Sequence, residues 1–90
     1  MGQRRHVGAR AVQRYGLTVT RDIRKGLVRA IQSHKAIFLT AGSNRTKSFA
    51  VSYENTWYAV VYDNSRKEIV TFLPPEYLNR YRSLIHGRQD

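Results

Sequence analysis

The sequence predicts an α+β fold: two N-terminal helices packed on a four-stranded antiparallel sheet, with a short C-terminal helix. Three observations carry this. Apolar residues recur at helical spacing as far as Ile31, they alternate at period two from Ser48 to Tyr53, and two short polar connections follow. Connections that short force the strands they join to run antiparallel.

The first helix is expected over Gln3–Tyr15, closed by Gly16, a residue that accepts the left-handed C-cap conformation. At about 100° per residue, Val7, Ala11, Val12 and Tyr15 share one arc. His6, Arg10 and Arg14 form a row on the neighbouring arc. Thr18 or Thr20 can N-cap a second helix, with Asp22 in the first turn, where a negative charge suits the helix dipole. Ile23, Leu27, Ala30 and Ile31 form its buried stripe, with Val28 at the margin, and Arg21, Arg24, Lys25 and Arg29 lie away from it. Gly26 costs that helix about 1 kcal/mol against alanine, which close packing would justify.

"AIFLT", Ala36–Thr40, is β-prone, and "AGSN" after it has loop chemistry. In "TKSFAVSY", Phe49, Val51 and Tyr53 alternate with Ser48, Ala50 and Ser52, the pattern of a half-buried strand. "ENT" turns into "WYAVVYD", and "NSRK" turns into "EIVTFLP", which Pro74-Pro75 stops because proline donates nothing to a ladder. Tyr77, Leu78, Tyr81, Leu84 and Ile85 recur on one side of a final helix from Pro75 to about Ile85. No repeat or linker divides residues 1–90, so a single domain is expected. The two leading helices should cover one sheet face and leave the other partly open.

Charge is the first clue to function. Of the sixteen Lys and Arg residues, eleven precede Phe49, where Asp22 is the one acidic residue, while the rest of the chain is balanced. A segregated excess of this kind attracts polyanions and releases their counterions, so nucleic acid is the leading partner class. There is no cysteine, which removes disulfides and thiolate zinc sites. No apolar run reaches the roughly eighteen residues of a membrane span, and the N-terminus lacks a signal-peptide layout. A cytoplasmic protein without membrane association is expected. His34 and His86 have no metal-ligand spacing with His6, and there is no Gly-rich phosphate loop, so neither a metal nor a nucleotide cofactor is expected.

Two stretches, "HVGARAVQR" before Tyr15-Gly16 and "WYAVVYDNSRKEIVTFLP", together with the two-helix, four-strand order over Gln3–Pro74, resemble the barnase/EndoU/colicin/RelE-type group of small ribonuclease folds, in its BrnT-like or phage-associated branches. The resemblance implies metal-independent RNA cleavage by a toxin or mobile-element protein, with an antitoxin or host protein as a further partner. Some members of the group bind without cutting, and ParE-like relatives act on gyrase. The chain departs from the catalytic pattern, because Glu54 and Asp63 fall in hairpin turns without a histidine neighbour in sequence.

Cleaving RNA without metal requires a base, an acid and cations for the phosphorane charge. His6 is the candidate for proton transfer. Arg10 and Arg14 are candidates to hold the phosphate, with Lys47 beside them. Thr71 or Tyr53 would assist. Thr71 shares a strand face with Ile69 and Leu73. It points to the open side if Val70 and Phe72 meet the helices, and into the core if the reverse holds. Arg4, Arg5, Arg21, Arg24, Lys25 and Arg45 are candidate nucleic-acid contacts. Tyr53, Tyr58 and Tyr62 offer stacking surfaces or core packing, and Trp57 reads as core. The predicted site is thus a groove between the first helix and the open sheet face. The rival is a non-catalytic basic inhibitor that binds nucleic acid or a nucleic-acid-processing machine.

Overall fold

Helix α1 spans Gly2–Tyr15 and α2 spans Arg21–Gln32. Strands β1 (Ile37–Ala41), β2 (Thr46–Tyr53), β3 (Thr56–Asp63) and β4 (Glu68–Phe72) follow, then the single-turn α3 (Glu76–Asn79). The structure, a computed structural model, describes residues 2–82, with side chains from residue 8 onward. Leu84 and Ile85, expected in the last helix, lie outside the described residues.

Local chemistry sets the boundaries. Gly16, at φ 65°, ends α1 and donates to the Val12 carbonyl. Of the two threonines that could cap α2, Thr20 does so, accepting from the Ile23 N–H at 3.2 Å. Helix α2 closes in a Schellman turn. His34 takes the left-handed position at φ 63° and donates to Ile31, while Lys35 donates to Ala30. Glu54 and Asn55, both at positive φ, form the two-residue hairpin between β2 and β3.

The strands pair antiparallel in the order β1-β2-β3-β4. α1 lies against β4 and α2 mainly against β2, on one face of the sheet. Beneath them Leu27, Ile31, Val51, Tyr58, Val60, Tyr62, Ile69 and Phe72 form the main core with Ala11. Close approach explains Gly26: a Cβ there would stand 2.6 Å from Cε1 of Tyr53, so any side chain would push that ring aside.

Two expectations need correction. The second sheet face is not simply open. Ala50 and Ala59 are small enough to admit Leu73, Tyr77, Leu78 and Tyr81, which pack on them with Ile37 and Leu39. Helices therefore lie on both faces, and β2 is buried on both sides along Ala50–Val51. On α1, Ala11 is buried as expected, but Val12 is 53% exposed. Val12 and Arg14 stand about equally far, roughly 80°, from the midpoint of Ala11 and Tyr15 on the wheel. Arg14 is the one that turns inward.

Tyr15 fixes α1 in place. Its hydroxyl accepts from the Ala59 N–H at 3.0 Å and donates to the Leu73 carbonyl at 2.8 Å, while Leu73 N–H donates directly to Ala59. One ladder bond between β3 and the end of β4 thus passes through the phenol. The ring packs edge-on against Tyr58 and Phe72. Burial pushes the phenol pKa up, with the Ala59 hydrogen bond partly opposing it. In Tyr15→Phe the Ala59 N–H and the Leu73 carbonyl lose this partner. Thermal unfolding should show a loss of about 1–3 kcal/mol, a drop in Tm on the order of 5–15 °C.

Candidate nucleic-acid interface

The two described cations of α1 make contacts within the molecule. Arg14 donates through Nη1 to the Phe72 carbonyl at 2.7 Å, so its guanidinium serves the end of β4. Arg10 donates to Gln13 Oε1 along the helix's own surface. Arg4, Arg5 and His6 belong to α1, but their side chains lie outside the described part of the structure.

The other members of the predicted constellation are dispersed. Lys47 and Tyr53 share the helix-side face of β2 but stand near opposite ends of that strand. Tyr53 packs beneath Gly26 of α2. Thr71 pairs with Val61 on the opposite face. A bulge at Val70 lets Ile69 and Phe72 both turn toward the helices, which breaks the simple alternation read from sequence. The Thr71 Oγ1 is buried and has no hydrogen-bond partner among the described residues. The structure therefore does not bring Arg14, Lys47, Tyr53 and Thr71 together.

What it does assemble is a track along α2. A small concavity at the start of the helix is lined by Thr20, Arg21 and Arg24. Arg24 also lines a second, of about 430 Å³, with Lys25, Val28 and Arg29. Gln32 and Lys67 continue from that one into a third, of about 610 Å³, over the helix-side face of β1 and β2. Among the described residues, none of α1 lines any of the three. Among the described residues, no carboxylate forms an ion pair with Arg21, Arg24, Lys25, Arg29, Lys47 or Lys67. Glu68, at the edge of the second concavity, lies 3.8 Å from Arg66.

The third concavity is aromatic at its floor. Phe38 and Phe49 are cross-strand partners with ring centroids 6.0 Å apart, and Phe49 meets Tyr62 at 6.3 Å. Tyr62 is buried and its hydroxyl accepts from Gln32 Nε2, so Tyr62 and Tyr58 belong to the core. Trp57 is half-buried on the other face, against the Ala50–Ala59 cluster. Phe38 is 52% exposed. Sequence reasoning passed over Phe38, Phe49 and Lys67. The available signal was the phenylalanine in "AIFLT", the one large ring in that short strand.

Asp63 holds the polar rim of this groove. Its Oδ1 accepts from the Ser65 and Arg66 N–H groups at 2.8 and 3.0 Å, which shapes the turn carrying Asn64 and Lys67. Asn64 N–H in turn donates to the Arg45 carbonyl, tying the β3–β4 turn to the β1–β2 loop. Arg45 is thus beside the groove, where its charge also acts on Asp63. The Arg66 N–H, helped by that of Ser65, holds the Asp63 carboxyl below the usual carboxylate range, although burial opposes this. Among the described residues, no group of three His, Cys, Asp or Glu could hold a metal ion, and no helix is long and apolar enough to cross a membrane.

Because the Asp63 pKa is lower in the folded chain, its contribution to stability is present above the unfolded value near 4 and fades as pH falls through the folded value. The unfolding midpoint should decline below about pH 4, and Asp63→Asn should flatten that decline. Thr71→Val keeps the shape of the side chain and removes the orphaned hydroxyl. It should raise stability by about 1 kcal/mol, measured by denaturant midpoint.

No protein-family model matches this chain, and no curated protein or solved structure matches it.

Proposed function

We propose that this protein binds single-stranded RNA along the track that follows α2 onto β1 and β2. One observation carries the reading: concavities sharing Arg24, Gln32 and Lys67 join a row of cations to an exposed aromatic floor. Cations that lack carboxylate partners repel one another and gain most from a polyanion. An aromatic floor has no use against a duplex, whose bases are stacked inside. It suits a strand whose bases are already splayed. The twelve residues of α2 extend about 18 Å, enough for a short run of nucleotides.

Binding is a better fit to this site than cutting. General acid–base cleavage needs two proton-transfer groups within reach of one phosphate. Among the described residues, His34 is the only histidine on the aromatic groove, and no carboxylate lines it. A basic inhibitor of a nucleic-acid-processing machine would use the same surface, and the ribonuclease resemblance remains compatible with a member that binds without cleaving.

The test is a salt titration with a labelled single-stranded RNA in EDTA. Full use of Arg21, Arg24, Lys25, Arg29, Lys47 and Lys67 predicts a log-log slope approaching about −4, at roughly −0.7 per neutralised phosphate. Arg24→Glu/Lys25→Glu should weaken binding at low salt by at least tenfold and make the slope shallower, with the RNA recovered intact. Affinity unchanged by that double substitution, or equal affinity for duplex RNA, would refute the proposal.

A further inference from the structure

We propose that the groove where α2 runs out over β1 and β2 is a nucleobase subsite. One unpaired base of the strand stacks on the exposed ring of Phe38, and the phosphates on either side of it meet Lys47 and Lys67. The inference rests on the RNA-binding reading above and assigns that surface a position where a base, not only the backbone, is held.

Three independent features point there. The rings of Tyr62, Phe49 and Phe38 form an edge-to-face row that begins in the core and ends half out of it, so the outermost ring is rigidly supported yet has a free face. A supported aromatic face is the surface that base stacking requires. The cavity over it, about 610 Å³, lies within the range of about 300–1,000 Å³ typical of small-molecule sites. Its described polar lining includes Lys47, Lys67, His34 and the amides of Gln32 and Asn64, which supply both donors and acceptors for a base edge.

The third feature is backbone conformation. Four described non-glycine residues have positive φ: His34, Glu54, Asn55 and Lys67. Glu54 and Asn55 occupy a two-residue hairpin that demands it. The other two, His34 and Lys67, both line this groove. A left-handed conformation is unfavourable for a residue with a Cβ, and unfavourable backbone gathers where side chains must be aimed. Glycine would satisfy both turns with less strain, but it would remove the imidazole and the ammonium from the rim.

The experiment uses the full chain and a set of single-stranded RNA hexamers, each with 2-aminopurine at a different position. At one position fluorescence should fall several-fold on binding. Replacing that position by an abasic nucleotide should weaken binding by about 5- to 160-fold, the range for one stacked base. Phe38→Ala should abolish the quenching and cause a similar loss without altering the salt slope, whereas Phe38→Trp should retain both. Phe38 is half exposed, so its replacement leaves the core intact, which the unfolding midpoint checks. Equal binding of intact and abasic hexamers, or quenching that survives Phe38→Ala, overturns the subsite. If Arg24→Glu/Lys25→Glu still abolishes binding in that case, the strand reading stands without it. If no hexamer binds even at low salt, or if polyglutamate displaces every hexamer equally well, the RNA reading falls as well.

Discussion

The hydroxyl of Tyr15 is the contact on which the arrangement of this molecule depends. A phenol both donates and accepts, so it can occupy a gap between two strands without leaving either backbone group unsatisfied. Here it takes the N–H of Ala59 and returns a hydrogen to the carbonyl of Leu73, at the point where β3 and β4 begin to part. The bond sets α1 over β4 and fixes its rotation. Arg14, the preceding residue, is then committed to the Phe72 carbonyl. One cation of a helix that looks like the cationic face of the protein is thereby turned inward, whereas Arg21, Lys25 and Arg29 of α2 stay exposed.

The second constraint is how far α2 reaches. Its Schellman turn at His34 ends the helix and returns the chain to β1 within a few residues. Among the described residues, no helix lies above the helix-side face of β1 and the first half of β2, and Phe38 and Phe49 are left at the edge of the core. On the reverse face, Ala50 and Ala59 are shallow enough for the segment around α3 to fill the space. The uncovered aromatic surface is therefore one corner of the sheet and not a whole face. It coincides with the end of the cationic row, which makes it a coherent binding surface.

Much of the fold was legible in the chain. The order of elements, the hairpins, Gly16 as a helix terminator, Thr20 as one of two candidate caps and Gly26 as a point of close approach all follow from local chemistry, and the structure bears them out. The site was less legible. Arg21, Arg24 and Lys25 were read correctly as lying away from the buried stripe of α2, because amphipathic spacing is a property of one helix. Phe38 and Lys67 were missed, since they join a groove only through pairing of β1 with β2 and through the turn that Asp63 organises.

The sequence by itself determined the order of the helices and strands, which way neighbouring strands run, and that the positive charge gathers in the first half of the chain. These are set by interactions within a few residues. Tertiary structure decided which of those charges remain available. The partner that removes Arg14 from the surface is a carbonyl 58 positions away, and the residues that expose Phe38 lie on three different strands and a helix. Helical periodicity places Arg14 and Val12 symmetrically about the buried arc. Only the end of β4, with a carbonyl in need of a donor, distinguishes them.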